Sequence, residues 1–197
     1  MEKIFFDLDQ TTVDSSFSVG LCNAGALLGR EWLDVWREIR CDPFVVNEDQ
    51  ALPLMAVLQN MYKLSPDLVA ICTARQLNGL ELDRLYEIGL PEKIQIYDRG
   101  WATAESVGGV DWCAGGSDSL MKPAIAKHLG VKTALLIDDM AHNISAFHDH
   151  GFGGILAADF EKTARIIATK TKLENQSNIG QAIWTAGHYL EYKAAAM

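Results

Sequence analysis

The sequence predicts an α/β fold, a doubly wound parallel sheet with helices on both faces. Five short apolar segments read as strands, over residues 3–7, 68–73, 93–97, 133–138 and 153–157. Helical patterns separate most of them, and this alternation requires crossover connections and hence parallel strands. The first strand runs directly into Asp7, at the carboxyl end, where open α/β sheets bind their ligands.

The first strand is the run Lys3-Ile4-Phe5-Phe6, followed by Asp7-Leu8-Asp9-Gln10-Thr11-Thr12-Val13. About sixty residues then precede the second strand, far more than one crossover helix needs. Within them, residues 27–39 read as a helix with Trp32, Leu33, Val35, Trp36 and Ile39 on its apolar side, and 52–62 as another. The expected organisation is therefore a core domain of residues 1–13 and 67–197, with a helical cap of residues 14–66 over the mouth of the site. After the second strand, Leu77, Leu80, Leu85 and Ile88 mark a helix over 77–88 that Gly89 can end. Residues 99–119, rich in Gly and small side chains, read as a surface loop. A helix over 123–129 carries Pro123 at its first position and Gly130 past its end, and another covers 143–150 before Gly151. From Asp159 onward the chain reads as helical, with Ile179, Ile183, Trp184, Tyr189 and Leu190 packing one helix onto the domain.

The composition narrows the partners. With 197 residues and 49% hydrophobic side chains the chain can bury a sizeable core. A formal net charge of -9 repels a polyanion, so long nucleic acid is disfavoured, whereas a small phosphorylated molecule needs only a cation and one or two basic groups. No apolar run approaches the roughly 20 residues of a membrane span. Glu2, Asp7 and Asp9 do not suit a signal peptide, and a cytoplasmic protein without membrane partners is expected. Cys22, Cys41, Cys72 and Cys113 lack CxxC spacing, so free thiols are expected rather than a zinc site or a disulfide framework. Nothing in the sequence sets the oligomeric state.

The chemistry-bearing residues sit at strand ends and helix starts. Two carboxylates spaced i, i+2, Asp7 and Asp9, can hold a divalent cation while one attacks an electrophile; alone, the segment reads equally well as a strand entering an Asx turn. Thr73 ends the second strand and can donate to a phosphate oxygen, and Arg75 can clamp one bidentately. Lys122 at a helix start makes an anion site, with Lys127 as the alternative. Asp138 and Asp139 follow an apolar run, where two adjacent acids are costly unless a cation such as Mg²⁺ compensates them. His148-Asp149-His150 reads as a helix end rather than a metal cluster, and Trp32 and Trp36 as packing residues more readily than as a stacking platform. Lys162, Arg165, Lys170 and Lys172 read as a solvated helix face.

Taken in order, these segments resemble the haloacid dehalogenase superfamily. Its first motif resembles Asp7-Leu8-Asp9-Gln10-Thr11, its second Thr73, its third Lys122, and its fourth Asp138-Asp139 with Asn143. Gln10 stands where the family has Gly, and Thr12 where an aliphatic residue is usual. The resemblance implies strand order 5-4-1-2-3 and a Mg²⁺-dependent phosphatase. Asp7 is then the nucleophile and Asp9 the general acid and base. Thr73, Arg75 and Lys122 bind substrate. The metal is held by Asp7, the Asp9 carbonyl and the Asp138/Asp139 pair, with Asp139 the direct ligand and Asp138 either outer-sphere or orienting the lysine. Asp9 argues against the dehalogenase branch, which lacks an acid there. The insert resembles a C1-type cap. The strings Ile71-Cys72-Thr73-Ala74-Arg75 and Leu136-Ile137-Asp138-Asp139 look most like the 5'(3')-deoxyribonucleotidases, implying a nucleoside monophosphate substrate. The alternatives are a polynucleotide end phosphatase and a non-catalytic binding protein on the same fold.

Overall fold

Strand β1 (Glu2–Phe6) is apolar on both sides because both sides are covered. In the computed structural model, which describes residues 2–107 and 118–160, Ile4 and Phe6 face one layer of helices and Phe5 the other. β1 pairs in parallel with β4 (Val69–Cys72) on one side and β6 (Thr133–Asp138) on the other. β5 (Gln95–Tyr97) and β7 (Gly153–Leu156) complete the sheet at its two edges, in order β5-β4-β1-β6-β7. This is the predicted order, with the chain switching direction at β1.

Helices α4 (Pro53–Leu64) and α5 (Gly79–Glu87) cover the face of Ile4 and Phe6 through Leu58, Met61 and Leu85. The opposite face receives α6 (Arg99–Ala104), α7 (Met121–His128) and α8 (Ala141–Asp149) through Ala102, Ile125 and Phe147. There Phe5 meets Tyr97 and Phe147 edge-on, with ring centroids 6.1 and 6.2 Å apart, the arrangement that aromatic quadrupoles favour.

The interval between β1 and α4 holds a two-stranded antiparallel ribbon, β2 (Val13–Asp14) with β3 (Gln50–Ala51), and three helices: α1 (Ser16–Leu27), α2 (Trp32–Ile39) and α3 (Pro43–Asn47). The helix expected over 27–39 begins only at Trp32, as α2, and is preceded by α1, which ends at Leu27. Gly29, at φ +79°, turns the chain between them, and the amides of Leu28 and Arg30 bond back to the Gly25 carbonyl at 3.0 and 3.1 Å. Gly25 also lets the two helices meet, since a Cβ there would stand 2.7 Å from Val35 Cγ2. α1 went unread because its small residues carry little apolar periodicity.

Residues 99–104, expected in a loop, form α6, because Asp98 caps them by accepting from the Trp101 amide at 2.7 Å. α7 begins two residues before the expected start, so Lys122 lies within its first turn and Pro123 one position further in. The helices expected beyond residue 160, the basic stretch 162–172 and Cys113 lie outside the described residues. Among the described residues Cys22, Cys41 and Cys72 are free thiols, and no helix is long and apolar enough to cross a membrane.

Asn78 and Glu81 form a reciprocal capping box on α5, each side chain bonding the other's backbone amide at 3.0 Å. Asn78 Nδ2 also donates to the Arg40 carbonyl at 3.0 Å, tying the inserted segment to the same turn. Asn78→Ala removes both, and is expected to lower unfolding stability by about 1–2 kcal/mol in a urea titration with little change in slope.

Candidate active site

The loop after β1 is wound tightly enough to present two carboxylates. The amides of Thr11, Thr12 and Val13 all bond to the Leu8 carbonyl, at 3.2, 2.9 and 2.9 Å. Gln10 occupies the left-handed region at φ 55°, a conformation glycine adopts without strain. With its amide oxygen turned to accept, Gln10 receives the Ser15 and Ser16 amides at 3.2 Å, satisfying donors at the start of α1 that the Ser15 hydroxyl leaves free. Thr12 is fully buried, and its hydroxyl donates to the Asp7 carbonyl at 2.9 Å. A hydroxyl at a position expected to be aliphatic thus braces the loop from within.

The sheet topology gathers the remaining residues at the same edge. Asp7 follows β1, Thr73 follows β4, and Asp138 ends β6 with Asp139 next. Lys122 reaches in from α7 with a side chain only 1% exposed, its Nζ 2.8 Å from Asp7 Oδ1 and hydrogen-bonded to Asp138 Oδ2. Asp138, fully buried, also accepts from the Met140 amide at 2.8 Å and from Asn143 Nδ2 at 3.0 and 3.1 Å. Buried Thr73 accepts from the Arg75 amide at 3.2 Å. Lys127 stands in the last turn of α7, a turn and more beyond Lys122, the lysine that reaches the carboxylates.

Carboxylate oxygens of Asp7, Asp138 and Asp139 lie within 4.8 Å of one another. Three acids facing one ammonium leave an excess of negative charge in a largely dry pocket, and the acidities follow. Burial pushes Asp7 up to about 7, with Lys122 opposing and Asp138 and Asp9 adding to the rise. Burial, then Asp138, raises Asp139 as well. For Lys122 burial disfavours the charge, but Asp7 and Asp138 outweigh it and hold the ammonium above its ordinary value. Cys72, behind the site, is pushed up to about 12 by burial and stays a thiol. An all-oxygen donor set with uncompensated charge fits a hard divalent cation.

Asp9 stands outside that trio. Its carboxylate faces Arg75, whose Nη2 is 3.4 Å from Asp9 Oδ1. Arg75 is itself buried in a charge network that sequence reasoning missed: Arg40 and Asp49 from the inserted segment, Glu81 from α5. Arg40 binds Asp49 at 2.6 Å and Glu81 at 2.7 Å, all three side chains being at most 3% exposed. Only the Asn78-x-x-Glu81 spacing hinted that this turn was special; Arg40 and Asp49 carry no local signal. Beside Asp9 opens a cavity of about 460 Å³, walled by Val19, Trp32, Leu33 and Trp36 on the inserted side and by Leu77 and Asn78 opposite. Trp32 and Trp36 stack on each other, centroids 5.2 Å apart. His148 and His150 bond to the backbone at Gly154 and Ala146, and among the described residues they belong to no metal cluster.

Comparison with solved structures identifies the architecture as that of haloacid dehalogenase-like hydrolases. One such hydrolase from Streptococcus pneumoniae superposes with a TM-score of 0.54 at 15% identity, over 78% of this chain and 83% of that one. A HAD family hydrolase from Deinococcus radiodurans R1, solved with bound phosphate and sodium, gives 0.51 at 16% identity, over 79% and 80%. No protein-family model matches the sequence, and no curated protein does.

Two outcomes follow from the charge balance. Lys122→Met leaves Asp7 and Asp138 buried without their ammonium, and is expected to cost about 3–5 kcal/mol of stability by chemical unfolding. Asp7, protonated up to about 7 when folded but ordinarily ionising at 3.8, keeps in the native state a proton that the unfolded chain releases. Its contribution to stability therefore falls as pH rises between those values. Without divalent cations, melting of the wild type should drop more steeply from pH 5 to pH 8 than melting of Asp7→Asn; parallel curves would contradict the assignment.

Proposed function

We propose that the protein is a Mg²⁺-dependent phosphatase that hydrolyses a compact phosphomonoester, a nucleoside monophosphate, through an aspartyl-phosphate on Asp7. The observation that carries this reading is Lys122, buried and bonded to both Asp7 and Asp138 at the ends of adjacent strands. It holds the Asp7 carboxylate at the sheet edge, where a phosphoryl group can meet it, with Thr73 following the adjacent strand.

In the proposed reaction Asp7 attacks phosphorus, and Asp9 donates a proton to the departing oxygen. Asp9 then removes a proton from the water that attacks the aspartyl-phosphate, releasing phosphate and restoring Asp7. Thr73 and Lys122 hold the phosphoryl oxygens, and positioning and charge neutralisation do most of the catalysis. The Asp7 carboxylate, the Asp9 carbonyl and Asp139 are the ligands assigned to Mg²⁺, which when bound supplies charge neutralisation at the transferring group. Asp138, already saturated by Lys122, Met140 and Asn143, suits an orienting role better than direct ligation. The phosphate bound in the Deinococcus hydrolase of like fold accords with this reading.

Residues 14–66 serve in this reading as a small cap of the C1 type. Within that range α4 lies on the sheet, while α1 and α2 supply the walls of the cavity. About 460 Å³ suits a compact leaving group, and its tryptophan and aliphatic lining suits one with a planar apolar face, which a nucleoside has.

The test is a panel of nucleotides, sugar phosphates and 3'- and 5'-phosphorylated oligonucleotides assayed with Mg²⁺. Nucleoside monophosphates are expected to give the highest kcat/KM, exhaustive chelation to abolish turnover, and Asp7→Asn to abolish it while the protein stays folded. Sugar phosphates outperforming every nucleotide would overturn the substrate; undiminished hydrolysis by Asp7→Asn would overturn the mechanism.

A further inference from the structure

A buried guanidinium ordinarily spends its five N–H groups on acceptors. Arg40 spends four of them: Nε donates to Glu81 Oε1 at 2.7 Å, Nη1 to Ser18 Oγ and Asp49 Oδ1 at 2.9 and 3.0 Å, and Nη2 to Asp49 Oδ2 at 2.6 Å. Arg75 shares the same two acids but reaches them late, with Nη2 3.4 Å from Asp49 Oδ2 and Nε 3.3 Å from Glu81 Oε1. Its Nε and Nη1 make no hydrogen bond, although the side chain is only 1% exposed. Asp9 Oδ1 is likewise buried without a hydrogen-bond partner, and Arg75 Nη2 is 3.4 Å away. A donor-rich group with spare capacity therefore stands against an orphaned carboxylate oxygen. The Trp36 ring, which lines the cavity, faces both guanidinia, 5.2 Å from Arg75 Cζ and 5.5 Å from Arg40 Cζ.

We propose that Arg75 is the positioning residue for Asp9, aiming its carboxylate at the leaving-group oxygen, and that Trp36 of the inserted segment holds the guanidinium in that place. The inference rests on the phosphatase reading above. It replaces the expectation that Arg75 clamps the substrate phosphate: Asp49 and Glu81 already balance Arg40 and Arg75, which leaves Arg75 little surplus charge for an anion. What the guanidinium retains is hydrogen-bonding capacity and a fixed direction, and these suit orientation of a neighbour.

A double-mutant cycle in kcat separates the two roles. With Mg²⁺ and the best substrate of the panel, Arg75→Lys, which keeps the charge that Asp49 and Glu81 require, is expected to lower kcat about 100-fold while KM hardly moves. In an Asp9→Asn background the same substitution should have no further effect, because the group it positions is already disabled. The loss in the wild-type background should shrink for 4-nitrophenyl phosphate, whose leaving group needs no proton. Should Arg75→Lys not fold, Trp36→Ala, which removes the ring that the Arg40 and Arg75 guanidinia share and leaves both cations in place, must give the same non-additive pattern. Equal losses in both backgrounds, or a loss expressed in KM and in affinity for inorganic phosphate, would overturn the proposal and make Arg75 a substrate ligand. A wild type that hydrolyses no phosphomonoester would instead overturn the phosphatase reading on which it stands.

Discussion

A single buried ammonium organises the carboxyl edge of the sheet. Lys122 stands between Asp7 and Asp138, on neighbouring strands, and without it two carboxylates would face each other in a dry pocket. The cost of that burial explains the surrounding detail. Asp138 collects every donor within reach, from the Met140 amide and Asn143, while Asp7 is left poorly compensated and is driven up to about 7. The pair is asymmetric by construction: one acid is fixed as a scaffold, the other kept available. That asymmetry is what a nucleophile beside an anchoring residue requires.

The second constraint is the fastening of the inserted segment to α5. Arg84 donates to the carbonyls of Asn47 and Asp49, Asn78 to that of Arg40, and Glu81 receives Arg40. These contacts hold both the end of α2 and the approach to β3 against one helix. The cavity beside Asp9 is therefore bounded by a fixed wall on the inserted side, with a shape defined before any ligand arrives. The same contacts bring buried charges from both parts of the chain to within one ion pair of Asp9, so the placement of the Asp9 carboxylate depends on the packing of the insert.

Much of this was legible in the sequence because the strands are short, apolar and punctuated. Asp7, Thr73, Lys122 and Asp138 fall at element ends that hydrophobic periodicity finds, and the sheet order brings those ends together. What the sequence hid depends on tertiary pairing. The turn at Gly29 between α1 and α2, the role of Gln10 as a cap for α1, and the bracing hydroxyl of Thr12 are visible only once neighbours are in place. Arg40 and Asp49 carry no local signal, yet both are buried, and Glu81 and Arg75 meet them from elements far along the chain. Arg75 illustrates the limit most clearly: its place after Thr73 suggests a phosphate clamp, whereas its partners are acids.

The account turns on Asp7 as the atom donor to phosphorus, and trapping the intermediate tests it most directly. The protein is mixed with Mg²⁺ and its best phosphomonoester, quenched in acid within the first turnover, digested, and its peptides examined by mass spectrometry. The account predicts a phosphoryl group on the N-terminal peptide, localised to Asp7 and lost in alkali as an acyl phosphate is. Turnover with a pre-steady-state burst but with the phosphoryl group on another residue would contradict it.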